Sequence, residues 1–182
     1  MGKNRINHSG KYMRIIICFF FTAMTLFVSA QSKLTPTDKF TIEGKVKRPI
    51  TISVSDLEGF TIKSLPDLVI TDHMGAKKHT LTGLRGVLLK DILSKAEIDA
   101  ENPKVLSEFY FVLAAPDNYK VVFSWNEIFN TETGNNIYVV MEEEGTKISG
   151  SADRISIVTL SDLRTGRRHM SNIEKIRVER AK

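Results

Sequence analysis

The sequence predicts an α+β fold, mostly β structure in a mixed sheet with two or three short helices, and three observations carry that prediction. Most apolar residues fall in short runs that either alternate with polar residues or stay unbroken, the patterns of half-buried and fully buried strands. Only one longer stretch, Leu88 to Ala96, places its apolar side chains on a single helical face. Two Ser-x-x-Glu boxes announce further, shorter helices. The composition is that of an ordinary globular chain, with 42% hydrophobic and 26% charged residues over 182 positions. It excludes collagenous, disulfide-dense and disordered classes.

The chain opens with Lys3, Arg5, Lys11 and Arg14, continues as an almost wholly apolar run from Ile15 to Val28, and offers small residues at Val28-Ser29-Ala30. Residues 1–30 read as a secretory signal peptide cleaved after Ala30, giving an exported chain, periplasmic or extracellular. An apolar run this short spans roughly two thirds of a hydrocarbon core of about 30 Å, so no stable membrane span is expected after cleavage. Cys18 lies inside the apolar run rather than at its end, which argues against lipid attachment there. It is the only cysteine, so the mature chain has no thiolate nucleophile or cysteine-held metal. The formal charge of +5 also belongs to the leader: without its four cations, 22 basic residues face 21 acidic ones. A nearly neutral domain loses the main support for binding nucleic acid.

Residues 31–39 read as a flexible polar tail, and residues 40–182 as a single domain. Phe40 to Val46 alternates as a half-buried strand, Pro49 breaks it, and Ile50, Ile52 and Val54 resume the period of two. Ser55-Asp56-Leu57-Glu58 fits a capping box for a short helix. Leu68 to Thr71 and Lys78 to Leu81 are strands of a hairpin turning at Gly75. Thr82 to Gly86 reads as a loop before the helix from Leu88 to Ala96, and Pro103 forbids continuation. Phe109 to Ala115 has no polar face and predicts a central strand covered on both sides; Pro116-Asp117-Asn118 turns it into a strand from Tyr119 to Phe123. Ser124-Trp125-Asn126-Glu127 is the second capping box. Gly134-Asn135-Asn136 predicts a turn through positive φ, and Ile137 to Met141, Ile155 to Leu160 and Ile173 to Val178 complete the strands.

Several of these segments, in this order, resemble the oxidoreductase molybdopterin-binding domain, the fold of sulfite oxidases and of bacterial periplasmic methionine sulfoxide reductases of that type. The resembling pieces are Phe40 to Val46 with Pro49, Ile52 to Leu57, and Leu84-Arg85-Gly86-Val87-Leu88-Leu89-Lys90-Asp91-Ile92-Leu93. Asp117-Asn118-Tyr119 is close to the family's Asp-Gly-Tyr turn, and Ala152-Asp153-Arg154-Ile155-Ser156-Ile157-Val158 precedes the closing Ile176-Arg177-Val178. The resemblance runs from about Phe40 to Glu179 and implies a sulfite-oxidase-like α+β fold with a molybdopterin cofactor. In catalytic members a cysteine thiolate binds molybdenum from a loop that corresponds here to Thr71-Asp72-His73-Met74-Gly75-Ala76, which has no cysteine. An imidazole or carboxylate does not reproduce the electron donation of a thiolate. The resemblance therefore implies a short member without the usual redox chemistry.

The candidate binding residues are Asp72, His73, Tyr119, Arg154, Arg167 and Arg168; no metal site and no catalytic residue is assigned. In the hairpin, a three-residue loop sets His73 opposite His79 and a two-residue loop sets Asp72 there. Zinc needs three or four ligands and no motif supplies the rest, so solvated side chains are the simpler reading. Arg164-Thr165-Gly166-Arg167-Arg168-His169 gathers guanidinium forks suited to phosphate, sulfate or carboxylate, or forms a charged hairpin tip. By resemblance Arg154 takes the place of the Arg in the family's Pro-x-Arg segment, with Ala152 where the proline stands; an ion pair with a nearby acid serves it equally. Tyr119 points into a pocket or packs on the core. The function expected is a non-catalytic exported module that binds a small anionic ligand or an envelope protein. The alternative is a molybdopterin-dependent oxidoreductase with a non-cysteine metal environment, in which Asp72 or His73 replaces the sulfur.

Overall fold

Alternation and turn chemistry build the first sheet. Phe40 and Ile42 are buried on one face of β1 (Lys39–Gly44), which pairs antiparallel with β2 (Ile50–Ser53). β1 also runs parallel to the last strand, β12 (Lys175–Arg180), whose Ile176 and Val178 face the same core. Gly44 has a φ of +91°, and a Cβ there would lie 2.4 Å from the Val178 carbonyl oxygen, so the strand exit tolerates only glycine. β7 (Phe109–Ala114) and β8 (Lys120–Ser124) continue the sheet, in the order β2-β1-β12-β7-β8. The computed structural model describes residues 36–151 and 154–182, which belong to one compact unit. The leader, residues 31–35 of the tail, and Ala152-Asp153 lie outside the described residues.

A second sheet joins β3 (Lys63–Ser64), β6 (Arg85–Leu88), β9 (Ile137–Glu143) and β10 (Thr146–Lys147), with β11 (Ile157–Thr159) pairing β9. One face of this sheet, with Val87, Ile137, Val139 and Ile157, shares the main core with Phe111, Phe123 and Ile176 of the first sheet. Its other face, with Leu88, Tyr138, Val140 and Val158, is covered by Leu68, Ile70 and Leu81 of the hairpin β4 (Leu68–Thr71) and β5 (Lys77–Leu81). Cover on both faces explains why Ile137 to Met141 is an unbroken apolar run.

The fold is α+β and dominated by strands, with three short helices among the described residues. These are α1 (Val54–Leu57), α2 (Leu89–Leu93) and α3 (Trp125–Phe129). The α3 capping box forms as expected: the Glu127 N–H donates to Ser124 Oγ at 3.1 Å and the Ser124 N–H to Glu127 Oε2 at 2.9 Å. No helix among the described residues is long and apolar enough to cross a membrane.

Four local expectations are corrected. The α1 box is Ser53 with Asp56 rather than Ser55 with Glu58, because Ser53 holds the extended backbone at the end of β2 that an N-cap requires. Arg85 and Gly86 belong to strand β6, and the helix begins only at Leu89. At Gly86 a Cβ would meet the Val139 carbonyl oxygen at 2.8 Å, so this glycine serves close strand approach and not a loop. β7 is buried on alternate residues, not on both faces. Gly134 lies in a 3-10 turn (Glu132–Asn136) without positive φ; a Cβ there would stand 1.8 Å from the Ile128 carbonyl oxygen, so contact with α3 demands the glycine.

Candidate functional site

The hairpin β4–β5 supplies the first wall of a cleft. A bulge between Ile70 and Thr71 sets Ile70 opposite His79 and Thr71 opposite Lys77, so His79 faces neither His73 nor Asp72 across the strands. Strand alternation puts His79 on the same face as Leu81, toward the turn end of the hairpin where the apolar cover stops. At the turn, Gly75 takes a φ of +96°. Asp72 Oδ1 accepts the N–H groups of Met74 at 2.8 Å and Ala76 at 2.9 Å. The Ala76 N–H, supported by those of Met74 and Gly75, holds the Asp72 carboxyl below the usual carboxylate range.

The second wall is the segment after β11. Its 3-10 turn, Thr165–Arg167, is fastened to β4: Thr165 Oγ1 donates to the Val69 carbonyl at 2.6 Å and accepts the Thr71 N–H at 3.1 Å. Gly166 passes so close that a Cβ would lie 1.9 Å from the Thr71 carbonyl oxygen. Arg164 Nη1 and Arg167 Nη2 both donate to the His73 carbonyl, at 3.0 and 3.4 Å. The segment is thus a clamp on the hairpin and not a free charged tip.

Tyr119, in the turn between β7 and β8, closes the third side. Asn118 has a φ of 68°, the Tyr119 N–H donates to Asp117 Oδ1 at 2.9 Å, and the phenol donates to the Arg167 carbonyl at 2.7 Å. Tyr119 is 41% exposed and lines the cleft, so it does not pack on the core. The resulting cleft of about 350 Å³ is lined by Asp72, His73, Lys78, His79, Arg167 and His169, together with Ile70, Thr71, Tyr119 and Gly166. The rings of His79 and His169 stand 6.4 Å apart between centroids. Such a lining suits an anion: Lys78 and Arg167 are permanent cations, the imidazoles donate N–H groups, and the one lining carboxylate is turned into its own loop.

Four of the six residues expected from sequence come together here, namely Asp72, His73, Tyr119 and Arg167. Arg168 and Arg154 do not line this cleft. Arg168 is bound to Asp162 by Nε at 2.8 Å and to Glu127 by Nη1 at 3.0 Å, and its guanidinium lies 4.5 Å from the Phe123 ring centroid. The Asp162 hydrogen bond raises its pKa further, so it is a fixed cation with a structural task. Arg154 pairs with Asp38 at the other end of the chain's course. Sequence reading missed Lys78, Thr71 and the approach of His79 to His169. Lys78 stands beside His79 in a basic strand, a signal that gains meaning only once the clamp is in place.

No family model matches the sequence, and no curated protein matches it. Among solved structures the chain is similar in fold to the sulfane dehydrogenase SoxCD from Paracoccus pantotrophus. The TM-score is 0.55 at 12% identity, and the superposition covers 77% of this chain and 37% of that one. The chain therefore spans little more than a third of the length of that relative, and what the two share is the fold. The thiolate ligand to molybdenum that the resemblance implies is not matched by the donors of the turn. The Thr71–Ala76 turn contains no sulfur donor but Met74, and the Asp72 carboxylate already accepts two backbone N–H groups.

Proposed function

We propose that this chain is an exported, non-catalytic module of sulfite-oxidase-like fold that binds a small anion in the cleft between the hairpin and its clamp. One observation carries the reading: Lys78, Arg167, His73, His79 and His169 converge from separate segments on one cleft whose only lining acid is Asp72. The donor set supports binding over molybdenum chemistry, since a redox metal held as in catalytic relatives needs a thiolate that the turn does not offer. The cationic start and apolar run of residues 1–30, read as an export signal, support an envelope or extracellular setting.

A thermal-shift titration with sulfate, phosphate and small organic anions tests the binding. A ligand taken only by the folded state raises Tm in proportion to the logarithm of its concentration above Kd. Wild-type protein is expected to shift, and a Lys78→Ala, Arg167→Ala variant is expected to shift far less. No shift in wild type with any of these anions overturns the reading. Stoichiometric molybdenum and pterin in protein recovered from an exporting host would overturn its non-catalytic half. Mass spectrometry of the same material is expected to find Gln31 at the N-terminus.

A further inference from the structure

The cleft's permanent charges do not add up to what a doubly charged ligand needs. Lys78 from β5 and Arg167 from the clamp are opposed by Asp72 at the hairpin turn. The fixed charges that line the cleft leave a net of one positive charge. The remaining polar lining is imidazole: His79 from the hairpin and His169 from the clamp, with rings 6.4 Å apart, and His73 at the rim. Imidazole is the side chain whose charge changes between about pH 5 and 8. Among the described residues no group of three His, Cys, Asp or Glu side chains is arranged to hold a metal ion, so the pair is not part of a metal set.

We propose that the cleft selects ligands by charge, taking doubly charged tetrahedral oxyanions of the sulfate and hydrogen phosphate class over singly charged ones, with the His79–His169 pair accepting a proton as the ligand enters. The inference rests on the anion-binding reading above. A singly charged anion is matched by the fixed net charge alone. The second charge of a dianion is matched only when an imidazolium faces it, and an imidazolium also turns a ring nitrogen from acceptor into a second N–H donor. Dianion affinity is therefore full at low pH and falls as the imidazoles lose their protons.

Calorimetric titration of the mature chain with sulfate and with methyl sulfate, at about pH 5.5 and about pH 8 and constant ionic strength, tests this. Sulfate is a dianion at both settings, so any change with pH belongs to the protein. Sulfate is expected to bind about tenfold more tightly at the lower pH, with net proton uptake read from two buffers of different ionisation heat. The preference for sulfate over methyl sulfate is expected to grow in step. His79→Gln and His169→Gln are each expected to flatten the pH dependence, whereas Lys78→Ala weakens sulfate binding by a similar factor at both settings. Equal sulfate affinity at both settings, no preference over methyl sulfate, or an unchanged slope in both histidine variants overturns the charge selection while leaving anion binding intact. No binding of either anion overturns the anion-binding reading as well.

Discussion

Arg167 and Arg168 are neighbours with opposite tasks, and sequence alone does not separate them. Arg168 holds Asp162 and Glu127 together over the Phe123 ring, whereas Arg167 faces the cleft and donates to the His73 carbonyl of the hairpin. Arg168→Ala is expected to cost about 2 kcal/mol of stability, read from denaturant unfolding, because it leaves two carboxylates without their shared partner. Arg167→Ala is expected to leave the unfolding midpoint within about 0.5 kcal/mol while weakening anion binding. Glu127 makes the same locus acid-sensitive. Burial alone would raise its carboxyl, but the Ser124 backbone N–H and the Arg168 guanidinium outweigh burial and hold it below the ordinary range. A depressed carboxyl contributes stability that is fully present above its unfolded value, near pH 4.3, and is lost as the pH falls through the folded one. Arg168→Ala is expected to flatten the acid limb of the stability profile in that window.

At the scale of elements, the clamp decides whether the cleft exists. Thr165→Val removes a hydroxyl that bridges Val69 and Thr71 and is expected to cost about 1–3 kcal/mol. Gly166→Ala would press a methyl group into the Thr71 carbonyl, so it is expected to part the clamp from β4 and to abolish the anion-induced rise in Tm while β7–β8 and α3 keep their structure. Amide exchange by mass spectrometry on the two segments checks that localisation. The elements themselves were legible wherever the signal was local. The hairpin turning at Gly75 and the Ser124 box rest on contacts within a few residues, and both form where expected. Where the signal was shared between two roles, the reading slipped. Gly86 and Gly134 look like turn glycines in sequence, but each is demanded by a carbonyl from a distant or neighbouring element, Val139 in one case and Ile128 in the other.

At the scale of the whole molecule, the mixed sheet and its strand-rich character follow from runs such as Ile137 to Met141, whose burial on both faces requires a layer on each side. The layer that sequence could not supply is the hairpin lying on the far face of β6 and β9, because its attachment depends on Thr165, some 95 positions from the residues it binds. The cleft inherits that difficulty. Asp72 and His73, Tyr119, and Arg167 come from three parts of the chain, and only the closed fold shows that they share one cavity with Lys78 and the His79–His169 pair while Arg154 pairs with Asp38 instead. A two-dimensional NMR titration of residues 31–182 with sulfate tests the central claim most directly. Saturable shifts confined to the amides of residues 70–79, 119 and 165–169 are the predicted result. Shifts scattered over the surface without saturation, or centred on another part of the fold, would contradict it.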